Sequence, residues 1–258
     1  MSALAETDRY NGSKFFNNIE YMQNKTSTGD CMNKKNKKKS VYKLTRSQKC
    51  YLFIKRLFDI AISSVALVLL LPVFAVIAVL VKLDSKGPAI FKQERVGKNG
   101  KIFTIYKFRT MYTSAPKNVA TEDLVDSDRL ITKIGRFIRC TSIDELPQLF
   151  NVLKGDMSLI GPRPLVKTEN DVHELRIEKG VYQLRPGLTG LAQTRGRDLV
   201  CCKEKVRLDE QYLHTVSLIA DMKLFFYSIK VILKREGFSE GSEINHSHQS
   251  EMNTKKSA

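Results

Sequence analysis

The sequence predicts an α+β fold that is mainly helical, with a small β-hairpin, a membrane-embedded N-terminal helix and interfacial amphipathic helices near the C-terminus. Three observations carry this expectation. An uncharged run from Ile60 to Val81 is long enough to enter a bilayer. An Asn99-Gly100 pair separates two runs of β-forming residues. Beyond residue 130, apolar residues recur at helical spacing. A chain of 258 residues with 42% hydrophobic content supports one good core rather than two.

The first 48 residues are polar, and Lys34, Lys35, Lys37, Lys38, Lys39, Lys43, Arg46 and Lys49 follow one another with no acidic residue among them. Such a segment buries too little apolar area to fold, so residues 1–48 are expected to form a disordered basic tail. It serves either to solubilise the chain or to tether it to an anionic leaflet, at about 1 kcal/mol per charge. The whole chain carries a formal net charge of +16. That points to an anionic partner: nucleic acid, an acidic membrane surface or a phosphorylated substrate. Five cysteines without metal-ligand spacing read as free thiols, and four histidines form no ligand constellation.

From Ile60 to Val81 there are 22 positions without a charge. A spanning helix is the simplest reading. Two features oppose it. Pro72 sits mid-run, where it removes a hydrogen bond, and cations crowd both ends: Lys49, Lys55 and Arg56 before, Lys82, Lys86 and Lys92 after. A spanning segment is basic mainly on its cytoplasmic side. A helix that bends at Pro72 and returns to the face it entered satisfies both flanks.

A hairpin is expected between the segments Gly87–Gly100 and Lys101–Met111, turning at Asn99-Gly100. Lys107 and Arg109 lie two apart and so share a strand face. That pair is either a solvated edge or two cations beside a bound diphosphate. Residues 112–130 are polar and irregular, and read as a loop.

The stretch that organises the chain is Thr141-Ser142-Ile143-Asp144-Glu145-Leu146-Pro147. Leu146, Leu149, Phe150 and Leu153 fall at i, i+3, i+4 and i+7, with Gly155 placed to cap a short helix. Ser142 and Glu145 spell a capping box, but Ser142 as N-cap would put Pro147 fifth in the helix, against the carbonyl four residues back. Asp144 as N-cap puts Pro147 third, without strain. The free N–H groups beside an ionised Asp144 would then suit a phosphate. Downstream, Arg163 lies between two prolines. Spacing alone leaves capping and catalysis both open.

A helix is expected over Glu169 to Lys179, ending at Gly180. Arg185-Pro186-Gly187-Leu188-Thr189-Gly190 is either a plain turn or a place where backbone approaches a ligand, with Arg185 ready for phosphate. Helices at about 203–214 and 216–234 carry apolar residues among lysines. A second polar, disordered tail covers 237–258.

Several of these segments together resemble one family. They are Lys55-Arg56-Leu57-Phe58-Asp59, Gln93-Glu94-Arg95-Val96-Gly97, Lys107-Phe108-Arg109-Thr110-Met111, Asp144-Glu145-Leu146-Pro147-Gln148, Asn151 through Ser158, Gly161-Pro162-Arg163-Pro164, Arg185 through Gly190, and Gly196-Arg197. Over roughly residues 52–235 the chain is similar to the bacterial sugar transferases, the monotopic polyprenyl-phosphate phosphoglycosyl transferases. The resemblance implies a re-entrant, proline-broken membrane helix over 49–84 and a catalytic domain over 85–236 on the cytoplasmic face of the bacterial inner membrane. It implies transfer of a sugar-1-phosphate from a UDP-sugar to polyprenyl (undecaprenyl) phosphate through a covalent aspartyl-phosphosugar intermediate, which starts assembly of a surface glycan. Asp144 and Glu145 would be the catalytic dyad, with Asp144 also holding Mg²⁺. Arg95, Lys107, Arg109, Arg163, Arg185 and Arg197 would bind substrate.

The rival reading is a membrane-tethered, basic nucleic-acid-binding protein without catalysis, which accounts for the charge. It needs aromatic platforms or a groove-reading helix. No such motif appears, so no nucleic acid is expected as a partner.

Overall fold

The computed structural model describes residues 42–116, 127–195 and 202–234. The expected tails over 1–41 and 237–258, and Arg197, lie outside the described residues. So does the middle of the loop, residues 117–126.

The apolar run belongs to a much longer helix, α1 (Arg46–Asp84). Its start is a capping box: the Thr45 hydroxyl accepts from the Gln48 N–H, and the Gln48 carboxamide accepts from the Thr45 N–H at 2.9 Å. The folded region therefore begins before residue 49, and Tyr42 and Leu44 pack into an apolar cluster with Leu213 and Val216. Pro72 lies inside α1, with helix on both sides of it.

Both ends of α1 dock on the same folded body. At the N-terminal end, Gln48 Nε2 donates to the carbonyls of Leu213 and His214. The Lys55 ammonium pairs with Asp221 and donates to the Ile160 carbonyl at 2.8 Å and to the Tyr212 hydroxyl. Arg56 donates to the Val152 and Leu153 carbonyls, and Asp59 Oδ1 accepts from the Leu159 N–H. At the C-terminal end, Ile77 and Val81 pack with Ala89, Phe108 and Ile138. Asp84 Oδ2 there accepts from the Ile134 N–H at 2.9 Å. Between these two docks the apolar side chains face outward, with Val68 74% and Leu69 70% exposed. Among the described residues, α1 is one helix long and apolar enough to cross a membrane.

Strands β1 (Ile90–Val96) and β2 (Ile102–Phe108) form the antiparallel hairpin, with Arg95 opposite Phe103 and Phe91 opposite Lys107. Asn99 and Gly100 both adopt positive φ, 56° and 74°, the conformation that makes Asn-Gly a turn former. The short helix α2 (Ser127–Leu130) leads into α3 (Lys133–Cys140), which Thr132 caps through its side chain. A 3-10 turn (Ile143–Gln148) then runs directly into α4 (Leu149–Lys154), which Gly155 closes at φ 99°. Strand β3 (Ser158–Ile160) follows, then α5 (Asn170–Lys179), strand β4 (Gly187–Thr189), a single turn α6 (Leu191–Thr194), α7 (Cys202–Thr215) and α8 (Leu218–Lys234).

The sequence gives no warning that β3 and β4 pair in parallel, because two three-residue strands carry no alternation. The pairing depends on glycine. A Cβ on Gly187 would lie 2.1 Å from the Gly161 nitrogen, and one on Gly190 would lie 2.1 Å from the Gly161 oxygen. The glycines expected to let backbone approach a ligand instead let two backbone segments approach each other. Helix α8 turns an apolar face outward, with Ile219 69% and Phe226 61% exposed.

Candidate active site

The centre of the site is the junction between α3 and the 3-10 turn. Asp144 is not an α-helical N-cap as expected. The residue ahead of the turn is Ser142, held at φ 56° in the left-handed region without a side-chain cap. A non-glycine residue there costs of order 1 kcal/mol or more. Its N–H bonds to the Arg139 carbonyl and its carbonyl accepts from the Glu145 N–H. This sharp turn presents two consecutive carboxylates at different depths. Asp144 is 8% exposed, while the Glu145 side chain keeps 23%. The 3-10 winding also resolves the proline conflict. Pro147 sits fifth in the turn, but the following helix begins only at Leu149.

Asn151, fully buried, fixes the turn to the hairpin. Its Nδ2 donates to the Thr104 carbonyl at 2.7 Å, and its Oδ1 accepts from the Tyr106 N–H at 3.2 Å. This brings Lys107 across from the dyad, where its ammonium donates to Glu145 Oε1 at 2.7 Å. Arg163 Nη1 approaches the same oxygen at 3.9 Å. The Arg163 backbone is held in place, since its carbonyl accepts from Arg176, which is itself buried against Asp209 at 2.6 Å. Arg95 donates to the Pro164 carbonyl at 3.2 Å and to the Gln93 side chain. Burial pushes the Arg95 guanidinium down to about 10, with Arg163 adding repulsion. It remains a cation at neutral pH.

Electrostatics at Asp144 are a balance. Burial is the largest influence and raises its carboxyl to about 6. The positive charge of Lys107 opposes this, Glu145 adds to it, and Arg139 and Arg163 again oppose it. Arg139 sits in the last turn of α3. Its only signal in the sequence is a cation five residues ahead of Asp144.

Lys107, Glu145, Arg163 and Arg95 border one cleft of about 240 Å³, which Gln148 and Gln193 also line. Two expected substrate contacts are elsewhere. Arg109 follows β2 and is 5% exposed. Its guanidinium donates to the carbonyls of Val81, Ser85 and Lys86 and to the Ser85 hydroxyl. It seals the C-terminal end of α1 and does not share a site with Lys107. Arg185 donates through Nε to the Gly155 carbonyl at 2.9 Å and lines a different cavity, of about 350 Å³, beside Lys55, Asp59 and Lys98. As a donor set, the dyad suits Mg²⁺, which takes one or two carboxylates and completes its shell with water and substrate phosphates. Among the described residues no group of three or more His, Cys, Asp or Glu gathers to hold a metal by itself.

The comparisons with known proteins point the same way. A family model described as bacterial sugar transferase matches residues 50–235. The chain is 41% identical over 200 residues to an undecaprenyl-phosphate glucose phosphotransferase of Komagataeibacter xylinus, a match covering 73% of this chain and 36% of the relative. It is 41% identical over 201 residues to an undecaprenyl-phosphate galactose phosphotransferase of Salmonella typhimurium, covering 72% of this chain and 41% of the relative. A UDP-glucose:undecaprenyl-phosphate glucose-1-phosphate transferase of Caulobacter vibrioides is 39% identical over 186 residues, covering 69% of each. This chain thus spans well under half the length of the first two. The segment that matches holds the Asp144–Glu145 dyad, its cationic cleft and the apolar helix, and by that match the chain belongs to the bacterial sugar transferase family.

Proposed function

We propose that the protein transfers a sugar-1-phosphate from a UDP-sugar to polyprenyl (undecaprenyl) phosphate, and so makes the first lipid-linked intermediate of a surface glycan. The observation that carries this reading is the Asp144 carboxylate, nearly buried among Lys107, Arg139 and Arg163 and raised to about 6. At pH 7 it is mainly ionised, poorly solvated and faced by cations, as a nucleophile for a phosphate ester must be. An Asp144 oxygen attacks the sugar-bearing phosphorus. The bond from that phosphorus to the bridging oxygen breaks, and UMP leaves with the electron pair. An oxygen of the lipid phosphate then attacks the same phosphorus and the carboxylate departs unchanged.

Lys107, Arg95 and Arg163 bind the diphosphate, and the pairing of Lys107 with Glu145 orients Glu145. Asp144 would hold a Mg²⁺ ion, which would neutralise phosphate charge when bound. The chain is proposed to lie in the bacterial inner membrane from its cytoplasmic face. Docking of both ends of α1 on one folded body supports a monotopic, re-entrant arrangement, since a bilayer core of about 30 Å cannot separate two ends bound to a single small body. The outward apolar face of α8 suits contact with the same lipid surface.

The test is a single-turnover experiment. Enzyme given Mg²⁺ and the correct UDP-sugar without lipid acceptor should release UMP in a burst no larger than the enzyme concentration and retain the phosphosugar on Asp144, read by mass spectrometry after rapid quenching. UMP release that requires both substrates together, or an adduct on another residue, would overturn the mechanism.

A further inference from the structure

Folding leaves few buried polar atoms without partners, yet this protein gathers several of them in one cleft. Gln148 is 2% exposed and its Nε2 has no hydrogen-bond partner. Both polar atoms of the Gln193 carboxamide, Nε2 and Oε1, are covered and unpaired, as is Arg95 Nε. All three residues line the cleft beside Glu145. Gly190 leaves room for the second amide, since a Cβ there would lie 2.8 Å from Gln193 Oε1.

The chemistry of these atoms restricts what they meet. Phosphate oxygens only accept hydrogen bonds, so a diphosphate satisfies Arg95 Nε but leaves Gln193 Oε1 unpaired. A hydroxyl both donates and accepts, and pairs with either end of a carboxamide. Position adds a second constraint. Gln148 is three residues beyond Glu145 on a 3-10 turn, where side chains at i and i+3 eclipse. Its amide therefore stands on the same side of the turn as Glu145.

We infer that Gln148 and Gln193 form a subsite that pairs with a hydroxyl of the substrate's sugar. The inference rests on the proposed function and goes beyond it by assigning specificity to two neutral side chains. A site built to pair with a hydroxyl rejects an analogue lacking it far more strongly than an apolar wall does.

The experiment measures UMP release by the full chain with Mg²⁺ and polyprenyl phosphate, using UDP-glucose, UDP-galactose, UDP-N-acetylglucosamine and deoxy analogues of the best substrate. Each is given to wild type, Gln148→Met and Gln193→Met. Wild type should discriminate against at least one deoxy analogue by tenfold or more in kcat/KM. One or both variants should bring that ratio close to one by losing activity on the parent sugar. Their apo melting temperatures should hold or rise, because each substitution removes an unpaired polar group. Wild-type turnover with the ratio unchanged in both variants overturns this inference and leaves the proposed function standing. A fall of several degrees in melting temperature also overturns it, because the amides would then have partners within the fold. Absence of UMP release from every UDP-sugar by wild type overturns both.

Discussion

The Lys107 ammonium donates to Glu145 Oε1 at 2.7 Å, joining the second hairpin strand to the turn that carries Asp144. These residues are 38 positions apart in the chain. Because Lys107 is also the largest influence holding the Asp144 carboxyl down against its burial, one lysine bears on both members of the dyad.

Replacement of Asp144 by Asn is expected to abolish turnover while preserving the fold. The folded protein holds the Asp144 proton more tightly than an ordinary carboxylate does. Asp144 therefore contributes its full relative stability below pH about 4, and that contribution is lost as pH rises to about 6. Removing the ionisable group should raise stability at pH 7 by up to about 3 kcal/mol, read from urea unfolding. A loss of stability together with retained activity would make Asp144 a structural cap.

The activity should carry an acidic limb at about pH 6. Only ionised Asp144 attacks phosphorus, so kcat/KM should fall about tenfold per unit below that point. A limb near pH 4 would mean that the carboxylate is well solvated in the free enzyme. UMP release across pH 4.5–8.5 distinguishes the two.

With Lys107→Met the same limb should move upward by roughly one unit, because a cation favouring the carboxylate is gone. Activity lost at pH 7 should then return in part at pH 8. A variant whose pH profile is displaced only in height would show that Lys107 binds substrate without tuning Asp144.

Arg109→Leu is expected to act on stability and not on substrate affinity. It strips donors from the buried carbonyls at the end of α1, at a cost of about 3 kcal/mol. KM for the UDP-sugar should change by less than about twofold among folded molecules. A large rise in KM with an unchanged melting temperature would place Arg109 back at the phosphate.

For topology, Lys49→Cys and Lys86→Cys in a cysteine-free background should both react with an impermeant thiol reagent from the same side of the membrane. Both positions are exposed and flank the apolar run. Labelling from opposite faces would establish a spanning helix.

Much of this protein is legible in its sequence because local chemistry decides it. The Asn99-Gly100 turn needs only two residues tolerant of positive φ. The helices ending at Gly155 and Gly180 need only their apolar spacing and a glycine, and the long apolar helix needs only its lack of charge. Asp144 and Glu145 stand out through the resemblance to the family, since spacing leaves capping and catalysis both open. What spacing could not reveal is where long side chains go. Lys107 and Arg109 share a strand periodicity, yet the first reaches Glu145 and the second turns to the carbonyls of α1, because β2 ends at Phe108 and burial there demands a donor for Val81 and Ser85. Arg185 and Arg163 read alike as phosphate clamps, but packing of Gly161 against Gly187 and Gly190 sends them to different cavities. The course of α1 through Pro72, the parallel pairing of β3 with β4 and the unpaired amides of Gln148 and Gln193 are likewise tertiary decisions. Each arises from contacts between segments far apart in the chain, and only the folded packing fixes which buried polar groups find partners inside the protein.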